Sequence, residues 1–154
     1  MTMLEIGRID RTIEIAAPPA RVWRALTDPA ELSAWFKVTI DGTIAAGREV
    51  QMTSTHAGYE GQRFRVWFIE LTPPRRLVWQ WHPGEVDSAV DYAREAKTTV
   101  TFVLEASGSG TRLTLSETGF DEIALERRAK VFNDNSQGWG DVRGWLQRHA
   151  EASR

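Results

Sequence analysis

The chain has 154 residues, of which 42% are apolar and 26% are charged, and its net charge is −2. These values are typical of one globular domain spanning residues 1–154, large enough to bury a core without disulfides. The sequence contains no cysteine, which excludes a disulfide framework, a thiolate metal site and a cysteine nucleophile. The balanced charge argues against nucleic acid and membrane surfaces as partners. We expect a cytoplasmic protein, because neither a signal peptide nor a membrane span is evident.

The first forty residues predict one strand followed by two short helices. Alternating apolar and polar residues predict a half-buried strand over Ile9–Ile15. Pro19 favours the first turn of a helix over Ala20–Thr27. Asp28, followed by a proline and then by an acid three residues on, is typical of the N-cap of a second helix. The apolar stripe of that helix consists of Leu32, Trp35 and Phe36.

The middle of the chain predicts a series of short strands separated by turns. Strands are expected at Val38–Ile40, Glu49–Thr55, Gln62–Leu71, Arg76–Trp81, Thr98–Ala106 and Thr111–Thr118. Asp41-Gly42 and the Ser-Gly-Ser-Gly stretch at 107–110 are hairpin signals. Successive strands with short turns, and no alternation with helices, predict an antiparallel meander. A polar excursion over His82–Lys97 interrupts this meander.

The end of the chain predicts two helices, a short one over Asp121–Val131 and a longer one from about residue 133 or 134 to Glu151. The longer helix is amphipathic at 100° per residue. Its apolar arc contains Trp139, Val142, Leu146 and His149, with Gly138 and Trp145 along the edge. A twisted antiparallel sheet with one terminal helix buries such an arc by laying the helix across its concave face.

Several features indicate an apolar cavity between this helix and the sheet. The seven tryptophans either fill a large core or line a ligand cavity. Gly138 withholds a side chain inside the apolar arc, which indicates either open space or close helix–sheet packing. Glu117 shares strand parity with Leu113 and Leu115, so its carboxylate points inward unless the strand end has already reached solvent. The candidate cavity-lining residues are Trp35, Phe36, Trp67, Trp79, Trp81, Phe102, Leu104, Leu113, Leu115, Glu117, Phe120, Gly138, Trp139, Val142, Trp145 and Leu146.

The strand predicted at Gln62–Leu71 is apolar on both faces. Phe64, Val66 and Phe68 share one parity, and Trp67, Ile69 and Leu71 share the other. One of these sets must therefore face something other than the cavity. The short helices and the partner subunit of a homodimer are the two alternatives.

The sequence carries no motif for catalysis or for metal binding. His56, His82 and His149 are too scattered for a metal site, and there is no nucleophile elbow, phosphate loop or dinucleotide fingerprint. No metal, cofactor or catalytic residue is therefore predicted. Glu117 and Asp121 would do acid–base chemistry only if both enter the cavity.

Several segments resemble the START-like (SRPBCC) superfamily. Residues 13–23, 26–32 and 35–36 resemble its N-terminal signature, and within it they are most similar to stand-alone bacterial homologues of the activator of the heat-shock protein 90 ATPase. The later segments occur in matching order at 70–74, 76–77, 79–81, 110–115, 119–120 and 138–139. The resemblance implies an α+β helix-grip (START-like/Bet v 1-like) fold. In this fold a curved antiparallel sheet, two short helices and a long C-terminal helix enclose a cavity.

This resemblance leaves three functional hypotheses open. Members of the superfamily bind lipids, hormones or polyketides, and some cyclise or hydrolyse their ligands. We expect first a binding protein for a small apolar or aromatic molecule. The second hypothesis is a cyclase or hydrolase that uses Glu117 or a histidine as a base. The third is a protein-interaction module that regulates a chaperone in a stress response, which predicts an exposed apolar patch.

Overall fold

The fold is a curved antiparallel sheet that packs against a long C-terminal helix, as the sequence predicted. The computed structural model describes residues 7–85 and 91–152. Its strands are β1 Arg8–Ile15, β2 Val38–Asp41, β3 Glu49–Ser54, β4 Arg63–Thr72, β5 Arg76–Trp81, β6 Thr98–Ser107 and β7 Gly110–Thr118. Its helices are α1 Pro19–Thr27, α2 Pro29–Phe36 and α3 Leu125–Ala152, preceded by a 3-10 turn at Phe120–Glu122.

The strand order explains how the short helices reach the long one. The seven strands are arranged β1-β7-β6-β5-β4-β3-β2, and all neighbouring pairs are antiparallel. Strands β1 and β2 therefore form opposite edges of the sheet. Helices α1 and α2 lie between these strands in the chain, so they cross from one edge of the sheet to the other and contact α3 on the way.

The C-terminal helix corrects one prediction, because it is a single helix of 28 residues and not two. No proline or glycine lies between Leu125 and Gln137 to interrupt it. The predicted break is spanned by an ion pair from Lys130 to Asp134, with 2.7 Å between Nζ and Oδ2. Phe132 is also buried at this point. The predicted start of the longer helix at residue 133 or 134 thus lies inside α3.

The structure shows which of the two apolar faces of strand β4 is internal. Val66 and Phe68 are fully buried on the inner face, where Phe68 lies opposite Trp79 of β5. Trp67 lies on the outer face, and Ile69 remains 49% exposed. The alternation of a pleated strand places these two pairs on opposite sides of the sheet. Leu71 departs from its predicted set, because a register shift between Phe68 and Glu70 pairs it with the buried Leu77 and it packs against the core.

A cluster of charged side chains ties the two short helices to the end of α3. Asp28 caps α2 as predicted, because its side chain accepts a hydrogen bond of 3.1 Å from the backbone N–H of Glu31. The Glu31 carboxylate accepts from Arg21 Nη1 at 2.6 Å and from Arg24 Nε at 2.9 Å. His149 Nε2 of α3 lies 3.0 Å from Glu31 Oε1. One carboxylate thus joins three helices.

The surroundings of Glu31 favour its charged form. Burial acts to raise the pKa of this carboxyl, but the hydrogen bonds from His149, Arg21 and Arg24 outweigh it and keep the pKa below its ordinary value. A pKa that is lower in the folded than in the unfolded state stabilises the fold above the unfolded pKa. This stabilisation is lost as the pH falls through the folded pKa.

We expect Glu31→Gln to lower the free energy of unfolding at neutral pH by about 1–3 kcal/mol, because a neutral amide replaces a carboxylate that faces the buried cation of Arg21. The difference from wild type should shrink in acid, since the wild-type carboxylate becomes protonated there. Urea denaturation as a function of pH measures both effects.

The control is Asp10→Asn in the exposed Arg8–Asp10 ion pair, which has a similar separation of 2.7 Å but side chains that are 56% and 53% exposed. This control should leave the free energy of unfolding nearly unchanged. Equal effects of the two substitutions would contradict a structural role for Glu31.

Candidate ligand cleft

A cleft opens between helix α3 and the inner face of strands β4 and β5. Its volume is about 260 Å³. Its apolar wall consists of Phe36, Phe64, Trp81, Gly138, Trp139 and Val142. A Cβ added to Gly138 would meet no other atom within 4 Å, so this glycine leaves open space and does not serve close packing. Because a cavity of roughly 150 Å³ holds a benzene ring, the cleft has room for one or two rings.

The cleft continues along α3 into a wider trough of about 630 Å³. The two spaces share Phe36, Gln62, Phe64, Asp134, Asn135, Gly138 and Val142 as lining residues. The far end of the trough is lined by Lys37, His56 and Trp145. Lys37 Nζ lies 4.2 Å from the centre of the Trp145 ring, and the His56 ring is 5.0 Å from the same tryptophan. The trough therefore has a polar, cationic end, whereas the cleft is aromatic.

Trp81 is the centre of the aromatic wall. Its ring is nearly parallel to that of Trp139, with 5.7 Å between centroids, and nearly parallel to that of Phe36 at 6.4 Å. Phe64 meets Trp81 edge to face at 5.9 Å. Packed rings in such arrangements attract one another beyond simple area burial. The wall is therefore a preformed aromatic surface.

The Glu117 carboxyl anchors this wall from behind. Trp139 Nε1 donates to its Oε1 at 2.7 Å, and Trp81 Nε1 donates to its Oε2 at 2.8 Å. Asn135 Nδ2 lies 3.0 Å from both oxygens, and Thr98 Oγ1 lies 2.5 Å from Oε2. Glu117 is fully buried, so the alternative that its strand end has reached solvent is wrong.

Local structure brings these five residues together. Glu117 follows Leu113 and Leu115 on the inward face of β7, as its parity predicted. Trp81 at the end of β5 lies directly opposite Thr98 at the start of β6. Asn135 and Trp139 are four residues apart on α3 and therefore lie on the same side of that helix.

Burial raises the pKa of Glu117, and the hydrogen bonds from Thr98, Trp81, Trp139 and Asn135 oppose this shift without cancelling it. The carboxyl itself does not line the cleft, since the two indoles and the amide stand in front of it. Asp121, its predicted partner in acid–base chemistry, is exposed on the 3-10 turn. The structure therefore does not bring the two carboxylates together in the cleft.

Beneath the centre of α3 the predicted hollow is filled. Phe102, Leu113, Leu115 and Leu146 pack here around Trp139, and the remaining space of about 10 Å³ is close to the minimum for one water molecule. These residues belong to a packed core and not to the wall of the cleft. The open volume lies beside the helix because the side chain that is missing, at Gly138, is on that side.

Trp79 also lies in the core, enclosed by the rings of Phe36, Phe68, Trp81 and Phe102 at centroid distances of 5.0–6.1 Å. It is fully buried, and its indole N–H has no hydrogen-bond partner among the described residues. The expectation that it lines a cavity is corrected, because neighbouring rings cover both of its sides.

Four other predicted residues do not line the cleft. Trp35, Leu104 and Phe120 are buried away from the cleft; Trp35 Nε1 donates to the Ala25 carbonyl at 2.7 Å, and Phe120 packs against Phe132 at 5.3 Å. Trp145 lines the trough only. Helix amphipathicity and strand parity identify residues on the inner side, but they do not separate core from cleft.

Trp67 is a further correction, since it lies on the outer face of the sheet. Lys97 Nζ is 4.0 Å and Arg65 Cζ is 4.9 Å from the centre of its ring. A separate pocket of about 420 Å³ borders it, formed in part by the excursion predicted at His82–Lys97. Within that excursion Tyr92 Oη donates to the Gly84 carbonyl at 2.6 Å, and residues 86–90 lie outside the described part of the chain.

Sequence reasoning missed seven side chains that line the cleft, which are Gln62, Phe64, His82, Pro83, Glu85, Asp134 and Asn135. Strand parity identifies Phe64 as inward-facing, because it shares parity with Val66 and Phe68. Asn135 lies near the predicted start of the long helix, which in fact begins at Leu125, so the sequence alone does not assign its face. Gln62 and His82 lie just outside strands β4 and β5, where no period applies.

Neither a metal-binding cluster nor a membrane-spanning helix is found within residues 7–85 and 91–152. In these ranges no three histidine or acidic side chains come close enough together to hold a metal ion. The same ranges contain no helix with the length and apolar character needed to cross a bilayer.

Comparison with known proteins identifies the family of this fold. Residues 16–151 match the family model for activator of Hsp90 ATPase homolog 1-like protein. The chain belongs to this family. The family match covers α1, α2, strands β2–β7 and nearly all of α3, and hence every residue that lines the cleft.

Solved structures of other proteins share the family fold over almost their full length. A Mesorhizobium loti protein is 22% identical with a TM-score of 0.75, and the match covers 96% of this chain and 98% of that one. An Arthrobacter aurescens protein is 19% identical with a TM-score of 0.78, over 99% and 90% of the two chains. The Aha1 dimer from Colwellia psychrerythraea is 18% identical with a TM-score of 0.72, over 96% and 98%. A search of curated proteins found no match.

We expect Glu117→Gln to lower the free energy of unfolding by about 1–3 kcal/mol, because its amide N–H₂ must face at least one of the N–H donors that now reach a carboxyl oxygen. The folded-state pKa of Glu117 is raised, so its contribution to stability is complete below the unfolded pKa and falls as the pH rises through the folded pKa. The cost of the substitution should therefore be greatest in acid and decrease toward neutral pH.

Chemical denaturation of both proteins from about pH 4 to about pH 8 measures this trend. Glu105→Gln, at an exposed position on β6, is the control and should change little. A cost that grows with pH would show that the fold stabilises the charged form of Glu117.

Proposed function

We propose that this protein binds a small apolar or aromatic molecule in the cleft beside α3. The observation that carries the proposal is Gly138, which stands in the aromatic wall with open space where its side chain would be. A glycine inside a helix costs about 0.5–1 kcal/mol relative to alanine. At this position the missing side chain leaves a space that is lined by aromatic rings. Pockets that bind small molecules are commonly lined by aromatic side chains.

The anchoring of the wall supports the same proposal. Trp81 and Trp139 are fixed by hydrogen bonds to a buried carboxyl, so they need not reorganise when a flat molecule enters. Preorganised walls improve affinity because less conformational entropy is lost on binding. The adjoining trough gives an entry path, since it shares much of its lining with the cleft.

The enzyme hypothesis has less support from the geometry. Both oxygens of Glu117 are occupied, and the carboxyl is separated from the cleft by the residues that contact it. His149 is engaged with Glu31, and His56 stacks with Tyr59 at the trough. None of these groups forms a nucleophile–base pair with another described side chain at the cleft.

The chaperone-regulator hypothesis rests on the family name and predicts a contiguous apolar surface patch. The large apolar side chains that are exposed within the described residues are Tyr59, Ile69 and Leu125, and they lie on three separate elements. This scatter favours the small-molecule proposal. A pull-down with the host's heat-shock protein 90 tests the alternative.

We also propose a cytoplasmic location and retain a homodimer as a proposal. The relative from Colwellia psychrerythraea is a dimer, and Ile69 is half exposed on the outer face of β4 in this chain. Sedimentation at several protein concentrations measures the oligomeric state.

We expect Gly138→Leu to block the cleft without disrupting the fold, because the new side chain enters empty space and glycine is replaced by a better helix former. Saturation-transfer NMR with neutral aromatics of one and two rings should show binding to wild type and a loss of at least about tenfold in affinity for the variant, since the substitution fills the site.

Gly140→Leu is the matched control. Gly140 lies on the same helix, is exposed, and also has no atom within 4 Å of an added Cβ, but it does not line the cleft. Its substitution should leave binding unchanged. Equal binding to all three proteins, or no binding to wild type, would contradict the proposal.

A further inference from the structure

The indole N–H donors of the cleft wall are already used inside the protein. Trp81, Asn135 and Trp139 line the cleft, and the side chain of each donates to Glu117. A molecule in the cleft therefore meets ring carbons of the two tryptophans but not their N–H groups. The other lining side chains with N–H groups, Gln62 and His82, lie outside the strands that form the wall.

The orientation of Asn135 decides what this wall offers instead. Its amide must turn Nδ2 toward Glu117, because Oδ1 in that place would face two carboxyl oxygens. Oδ1 then lies on the opposite side of the amide from Nδ2, and it makes no hydrogen bond to any described residue. Asn135 is only half-buried and lines the cleft, so this oxygen is an acceptor available to a ligand.

The charges around the cleft are already paired. Asp134 Oδ2 lies 2.7 Å from Lys130 Nζ, and Glu85 Oε2 lies 2.9 Å from Arg65 Nη2. The only positive group of the trough that makes no ion pair with the described residues is Lys37, which lies at the far end over Trp145. An anion beside Trp81 and Trp139 would thus lose its hydration without gaining a positive partner or an indole N–H, which is unfavourable.

We propose, on the basis of the proposed function, that the ligand is an uncharged aromatic molecule of one or two rings that carries an O–H or N–H group. The rings pack against Trp81, Trp139 and Phe36, and the donor group binds Asn135 Oδ1. Glu117 determines this specificity indirectly, because it turns both indole N–H groups and one amide N–H of Asn135 inward, and so leaves Asn135 Oδ1 as an acceptor for the ligand. The cleft therefore disfavours ligands that carry a carboxylate group.

The test uses three naphthalenes of similar size: 2-naphthol, 2-methoxynaphthalene and 2-naphthoate. The first has a donor, the second has an acceptor only, and the third is an anion. Isothermal titration calorimetry with the wild-type protein near neutral pH should show 2-naphthol binding at least about tenfold more tightly than either of the others. A site that hydrogen-bonds a hydroxyl discriminates against analogues that lack it.

Asn135→Leu removes Oδ1 and should reduce the preference for 2-naphthol over 2-methoxynaphthalene to less than about threefold, with little effect on the methoxy compound. Gln62→Leu is the matched control, since it removes another amide that lines the same cleft. It should leave the preference intact. Circular dichroism verifies that the Asn135 variant folds, and the wild-type series is decisive by itself if it does not.

The outcomes separate this inference from the proposed function. If 2-naphthoate or 2-methoxynaphthalene binds wild type as tightly as 2-naphthol, the inference is overturned while ligand binding stands. The same holds if Lys37→Gln abolishes binding of a preferred 2-naphthoate, or if Gln62→Leu and not Asn135→Leu removes the preference. If none of the three binds wild type, the proposed function fails and the inference fails with it.

Discussion

The structure depends on satisfying one buried carboxyl group. Glu117 is removed from water, and it is accepted there only because side chains from β5, β6 and α3 supply hydrogen bonds. The requirement is reciprocal, since the N–H groups of Trp81 and Trp139 would themselves be unpaired without it. Five side chains therefore fix one another's positions. The separation of the helix from the sheet, and hence the width of the cleft, follows from this cluster.

Two carboxylates with opposite electrostatics attach the long helix at two points. Glu117 contacts Asn135 and Trp139 in the first half of α3 through neutral donors, and burial raises its pKa. Glu31 contacts His149 near the end of α3 and also faces two arginines, which keeps its pKa low. The charged form is thus favoured at one attachment and disfavoured at the other. Acid should weaken the attachment at Glu31 while it strengthens that at Glu117.

Sequence patterns predicted the elements better than the site, and particular residues show why. Strand parity correctly turned Glu117 inward, because the period of two is local. The partners of Glu117 could not be found in this way, since Trp81, Thr98 and Asn135 come from three elements whose contact is tertiary. Trp67 was placed on the wrong face because both faces of β4 are apolar, and cations, not a hydrophobic layer, cover its outer side.

The glycines of α3 connect a cost in helix stability with the open volume of the cleft. Gly138 and Gly140 have the same unfavourable effect on helix stability, and neither is required by close packing. Only Gly138 faces the aromatic wall, so only there does the missing side chain become a volume that a ligand can occupy. Alanine or leucine at this position would increase both helix propensity and apolar burial. The cleft therefore exists because α3 has a glycine, at a cost in helix stability, where it faces the anchored indoles.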